Sequence, residues 1–256
     1  MLKKSVIAAT FTAALAVSHN AAATIVLVET NMGDFEINLF DQTTPKTVTN
    51  FLTYVKDGSY NNSIFHRSIK DFVVQGGGMR YSGNNASPFT EVPARGPIDN
   101  EPKLSNVRGT VAMAKKASPN SATTHWYVNV ENNSSHLDKS NGGFTVFGVV
   151  TGTGMSIVDS INDLYVPGGA GLFNETPLRN YSATDWANKV PVTAANIVTI
   201  ERITVINDSP TTAANLNPTP NTLVGQVTDT GSSGGSSTST LLIVLAGLAF
   251  WRRRKV

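Results

Sequence analysis

The chain has 256 residues, 40% of them hydrophobic and 15% charged, which is enough apolar material for a packed core and too much for a disordered chain. Its formal net charge of +2 comes from its ends: Lys3, Lys4, Arg252, Arg253, Arg254 and Lys255 are six of the 20 Lys and Arg residues, leaving 14 against 18 Asp and Glu, a balance that argues against nucleic acid as a main partner. With no cysteine, disulfides, thiol nucleophiles and thiolate metal sites are excluded.

In chain order, residues 1–23 are expected to be a secretory signal peptide. Lys3 and Lys4 supply the basic start, residues 5–17 a short apolar run, and Ala21-Ala22-Ala23 a small-residue cleavage site. Residues 24–30 (TIVLVET) and 34–40 (DFEINLF) are rich in β-branched and aromatic residues around Asn31-Met32-Gly33, the pattern of a hairpin. A helix follows, with Thr44 as expected N-cap, Pro45 in first position, an apolar stripe of Val48, Phe51, Leu52 and Val55, and Gly58 as stop. Strands are expected at 64–67, 72–75, 110–114, 126–130 and 145–150, and a second helix at 155–161. Residues 165–195 carry Pro, Gly and little periodicity and read as a long loop; 197–206 alternates and would close the sheet. Short strands with two covering helices predict a mainly β domain, a closed eight-stranded antiparallel barrel capped by two α-helices. The domain spans 24–207, a Ser/Thr/Asn/Pro-rich linker 208–230, and a tail 231–256.

That tail joins a Gly/Ser tract at 231–237, an apolar run at 241–251 and four basic residues. Eleven apolar residues would span about 16 Å as a helix, half a hydrocarbon core, so a transient rather than permanent stay in the membrane is expected. The arrangement resembles the GlyGly-type C-terminal sorting tails of Gram-negative bacteria; that resemblance implies clipping by a rhomboid-family protease during export to the periplasm or cell surface. A plain transmembrane stub is the alternative.

The histidines (His19, His66, His125, His136) form no H-x-x-x-H pair, there is no Gly-x-Ser-x-Gly elbow, and Gly76-Gly77-Gly78 lacks dinucleotide-loop spacing. No metal or cofactor is expected. The densest motif runs from Phe65-His66-Arg67 through Phe72 to Gln75-Gly76-Gly77-Gly78-Met79. Together with Arg108-Gly109-Thr110-Val111-Ala112-Met113-Ala114 and Val146-Phe147-Gly148, it resembles cyclophilins, the cyclosporin-binding peptidyl-prolyl cis-trans isomerases, over residues 24–206, and looks most like their bacterial periplasmic branch. The resemblance implies a monomer acting on proline-containing peptides and exported client proteins. It implies that Arg67 is the catalytic guanidinium, that Gln75 orients it, and that Phe72, Met113 and Leu137 line a proline slot with Ala114 on the adjoining groove. The pattern departs at Val73, at His125-Trp126-Tyr127 in place of Gln-Phe-Phe, at His136 in place of an aromatic, and at Phe144 in place of a pocket His. Val73, His125, Tyr127, His136 and Phe144 are therefore expected as an altered substrate-binding wall, and Trp126 as core. Two rivals remain open at this point: a proline-peptide-binding or chaperone module of little turnover, and a surface structural protein whose tail is the functional part.

Overall fold

A computed structural model describes residues 23–209, 212 and 216–226. The expected signal segment (apart from Ala23) and the expected sorting tail lie outside the described residues.

Among the described residues eleven strands form: β1 Ile25–Thr30, β2 Phe35–Leu39, β3 Ser63–Ile64, β4 Arg67–Ile69, β5 Val73–Gly76, β6 Met79–Tyr81, β7 Phe89–Glu91, β8 Thr110–Met113, β9 Trp126–Asn129, β10 Val146–Val150 and β11 Thr199–Asn207. Nine of them make one sheet in the order β3-β11-β1-β2-β10-β8-β9-β5-β4, and β6 pairs with β7 apart from it. The fold is mainly β, but the expected closed eight-stranded barrel is corrected to a curled nine-stranded sheet. Its two edge strands, β3 and β4, do not pair; only Phe65 and His66 join them in the chain. Three Cα steps of 3.8 Å hold the edges within about 11 Å of each other, so the sheet must curl. The single expected strand at 64–67 splits because Phe65 N donates to Val198 O on one side while His66 N donates to Gln75 O on the other.

Alternation along the strands builds two apolar faces. The inner one collects Val74, Val111, Met113, Trp126, Val128 and Phe147 with Phe51 and Phe65. Trp126 is fully buried, edge-on to Phe51 and Phe65 at centroid distances of 6.1 and 5.7 Å. The outer face carries Val73, Ala112, Ala114, Tyr127 and Val146, covered by Phe40, Leu104, Leu137 and Phe144.

Helix α1 (Pro45–Lys56) covers the inner face with Val48, Phe51, Tyr54 and Val55. Its expected cap at Thr44 makes no side-chain cap bond. The buried Glu101 carboxylate takes that place, accepting from Thr47 N (2.9 Å), Thr47 Oγ1 (2.8 Å) and Lys46 N (3.4 Å), where the helix leaves donors unpaired and favours negative charge. Helix α2 is the short Ser134–Leu137, and α3 (Gly154–Asn162) is the expected second helix, against β2, β4 and β5. Residues 165–195 hold more structure than expected: bridges Tyr165↔Leu178 and Leu178↔Ile197, a helix α4 (Ala183–Ala187) with a Ser182/Asp185 capping box, and a third apolar cluster of Phe173, Leu178, Tyr181 and Val192 against Ile64 and Ile197.

Beyond β11, within the segment read as a linker, residues 216–226 are clasped to the fold. Ser105 N donates to Thr219 O (2.8 Å) and Asn221 N to Lys103 O (2.9 Å) around a bridge Leu104↔Pro220, and Leu216 packs on the outer apolar cluster. A Pro/Thr/Asn composition speaks for loops, yet its backbone groups still pair wherever a free edge such as 103–105 lies within reach.

Candidate active site

Strand register brings the site together on the outer face. Arg67 of β4 lies opposite Gln75 of β5, Gln75 opposite Tyr127 of β9, and Tyr127 opposite Ala112 of β8. Directly opposed residues share a face of the sheet, so one row across four strands carries a cation, a carboxamide and a phenol. Two positions along the chain, Val73 and Ala114 fall on that face too. Over this row a small cleft with about 10 Å³ of free volume is lined by Arg67, Phe72, Val73, Gln75, Ala114, Tyr127, Leu137 and Phe144. Larger openings of about 500 and 580 Å³ lie elsewhere, beside Lys70 and Asp163 and beside Trp186; neither gathers these groups, so size does not mark the site.

Eight of the eleven expected site residues thus line one cleft. Three do not. Met113 is in the inner core, one residue out of phase with Ala112 and Ala114, because neighbours on a strand point to opposite faces. His136 stands exposed on α2, its backbone carbonyl accepting from Ser140 Oγ at 2.7 Å. His125 packs edge-on against His66 at 5.0 Å, two residues along from the slot, where a Cβ at Gly78 would collide with its ring.

Arg67 is held at two points. Its Nη1 donates to Gln75 Oε1 at 3.4 Å and its Nε to Glu175 Oε2 at 2.8 Å. Gln75 in turn places its Nε2 3.3 Å from His66 Nε2. With the Gln75 oxygen facing a guanidinium, its amide nitrogen is the donor, so His66 Nε2 accepts and the imidazole is neutral. Burial holds His66 well below the usual histidine range, with His125 and Arg67 adding to the effect. Burial, with the Lys116 cation adding, brings His125 down to about 4. Both Nδ1 atoms are buried without a partner among the described residues.

The far wall hangs on one buried network. Tyr127 Oη donates to Asn106 Oδ1 (2.9 Å), Asn106 Nδ2 donates to Asp138 Oδ1 (3.0 Å) and Phe144 O (3.1 Å), and Ser105 Oγ donates to Asp138 Oδ2 (2.5 Å). Burial raises the Tyr127 phenol well above the ordinary tyrosine value, so it stays a donor. Phe144 carries a cation on its ring: Lys115 Nζ lies 4.6 Å from the centroid and donates to Asn141 O at 2.6 Å. Lys115 is only 2% exposed, and burial lowers it to about 8. Sequence reasoning missed Glu175, Asn106, Asp138 and Lys115. Asn106 and Asp138 had a signal, since a buried tyrosine hydroxyl demands a partner; Glu175, in an aperiodic loop, had none.

Residues 25–185 match the family described as cyclophilin type peptidyl-prolyl cis-trans isomerase/CLD. A peptidyl-prolyl cis-trans isomerase of Acinetobacter baylyi is 40% identical over 145 residues, 56% of this chain and 74% of that protein. Peptidyl-prolyl cis-trans isomerase B of Escherichia coli K12 is 38% identical over 159 residues, covering 60% of this chain and 92% of the relative. Among solved structures, a cyclophilin type peptidyl-prolyl cis-trans isomerase of Cryptosporidium parvum aligns with a TM-score of 0.52 at 24% identity, over 73% of this chain and 99% of the other. A second structure of that protein, obtained in the presence of the dipeptide Ala-Pro, aligns with a TM-score of 0.51.

Proposed function

The chain belongs to the cyclophilin type peptidyl-prolyl cis-trans isomerase family and catalyses rotation about X–Pro peptide bonds; we propose that it does so through Arg67, on proteins that have left the cytoplasm. The observation that carries the first part is the row Arg67–Gln75–Tyr127 over an apolar cleft. Rotation about an amide meets a barrier of about 18–20 kcal/mol, because resonance must be broken, and it needs no proton transfer or covalent intermediate. As the bond twists, the proline nitrogen regains its lone pair. A fixed donor that meets this lone pair binds the twisted state better than either planar state, and that difference is catalysis. Arg67 fits this role because it is always charged, planar, and set against Phe72, Leu137 and Phe144, where water competes poorly. Gln75 keeps the guanidinium turned to the cleft, and the rings of Phe72, Tyr127 and Phe144 with Leu137 receive the proline.

The second part rests on composition. A basic, apolar, Ala-rich start is that of an export signal, and a Gly/Ser, apolar, basic end is that of a sorting tail, consistent with a bacterial periplasmic-like branch and a rhomboid-type protease. Exported chains fold outside the cytoplasm, where proline isomerisation over tens of seconds limits them. Two experiments test this part: fractionation of cells expressing the full chain or a chain lacking 1–23, and refolding of a proline-limited exported protein. Export lost with 1–23, and a slow refolding phase accelerated by the wild type and not by Arg67→Ala, are the expected results. A full chain found only in the cytoplasm would overturn the exported role, and export retained without 1–23 would overturn the assignment of the signal to that segment.

A further inference from the structure

We propose that Glu175 is a positioning residue for Arg67, holding the guanidinium by its Nε so that the Nη edge is presented to the proline slot; the inference rests on Arg67 being the catalytic donor. Glu175 belongs to none of the strands that make the site. It comes from the aperiodic segment between α3 and α4, and it is fastened in place independently of its charge. Ser68 N donates to Glu175 O at 2.7 Å, and next to it Thr176 Oγ1 donates to His66 O at 3.1 Å. The loop is thus laced to both residues that flank Arg67, and the Glu175 carboxylate arrives on Arg67 Nε at 2.8 Å from a fixed backbone.

Three features separate this from an incidental surface pair. The Arg67 side chain is only 13% exposed against 44% for Glu175, so the guanidinium end of the pair is largely shielded from water while the carboxylate reaches it from the surface. The Nε contact, at 2.8 Å, is much shorter than the 3.4 Å contact from Nη1 to Gln75, so Glu175 is the tighter of the two holders. No described residue accepts from Nη2, which leaves that nitrogen for substrate. A guanidinium is a rigid fork: fixing Nε and one Nη fixes the direction of the remaining donors. Without Glu175, Arg67 keeps one long bond and can rotate about its aliphatic stem.

Glu175 is not one of the residues that line the slot, and among those its side chain hydrogen-bonds Arg67 alone, so its loss should leave peptide affinity alone and lower the rate of the twisted-state step. The test uses the full chain as wild type, Glu175→Ala, Glu175→Gln, Glu175→Asp and Arg67→Ala. Exchange spectroscopy on an Ala-Pro peptide over a range of concentrations separates kcat from KM. The Arg67 Nε–H NMR signal, assigned by its loss in Arg67→Ala, reports the bond itself. We expect Glu175→Ala to lower kcat about tenfold with KM within twofold and the Nε–H signal broadened. Glu175→Gln, which can still accept from Nε, restores most of the rate; Glu175→Asp, with a carboxylate set back by about 1.5 Å of chain, keeps the charge and still loses rate. If Glu175→Ala, or Glu175→Asp should the Ala variant not fold, turns over like the wild type while Arg67→Ala is slow, Glu175 is not a positioning residue and the reading of Arg67 stands. If Arg67→Ala itself turns over like the wild type, both fall.

Discussion

Trp126 and Tyr127 are neighbours on one strand, yet the first is sealed in the inner core and the second closes the slot. Strand alternation makes that split readable from sequence, and the same rule shows why Met113 and Ala114 could not both reach the slot. What alternation does not supply is the partner of a buried polar group. Tyr127 finds Asn106, 21 residues away in a loop, and Arg67 finds Glu175 across 108 residues; such pairings depend on how loops return to the sheet. The two half-buried histidines have a measurable consequence. An unfolded His125 takes up its proton near pH 6.5, whereas the folded one waits until about 4. Between these values the unfolded chain binds more protons, so stability present above pH 6.5 drains away as pH falls toward 4, by up to about 3 kcal/mol. Urea unfolding of the wild type and His125→Gln at pH 7 and pH 4.5 checks this: the variant should lose clearly less stability over that interval. Equal losses would mean that His125 is not held neutral by the fold.

Among the elements, the strands with β-branched runs and the helix with an apolar stripe were legible within a residue or two, because each buries one face. The β6–β7 ribbon was not: Met79–Tyr81 and Phe89–Glu91 are three residues each, too short to show a period. The cap of α1 was misplaced for a related reason. Thr44 has the right chemistry and position, but the group that reaches the helix start is Glu101, which arrives from a loop 54 residues away from Thr47. Glu101→Ala should therefore destabilise the fold by about 1–2 kcal/mol, in the range of a lost cap, whereas Thr44→Val, which removes the hydroxyl and keeps the shape, should change stability much less. Thermal unfolding of the two variants decides between the caps, and a Thr44→Val variant as unstable as Glu101→Ala would contradict the assignment.

Across the whole molecule, the sheet's edges are brought together by two residues rather than by hydrogen bonds, and those residues are the Phe65-His66 that lead into Arg67. The curl of the sheet and the placement of β4 therefore depend on the same two residues. The far wall is fastened by the chain's last described segment: Asn221 Nδ2 donates to Asp138 O at 2.9 Å, and Asp138 holds Asn106 and hence Tyr127. Asn221→Ala should lower stability by about 1 kcal/mol and speed hydrogen exchange at 103–106 and 138; unchanged exchange there would show that 216–226 lies on the fold without holding it. Composition alone marked this segment as linker, since the pairing that holds it belongs to an edge distant in sequence. The central claim is that a single fixed cation over an apolar slot accelerates rotation of the X–Pro bond. Exchange spectroscopy on an Ala-Pro peptide with the wild type and Arg67→Ala tests it most directly. The account predicts fast exchange with the wild type and a loss of about 10²–10³-fold in kcat/KM on substitution, with the variant still folded and still binding peptide; a folded Arg67→Ala that catalyses at the wild-type rate would contradict it.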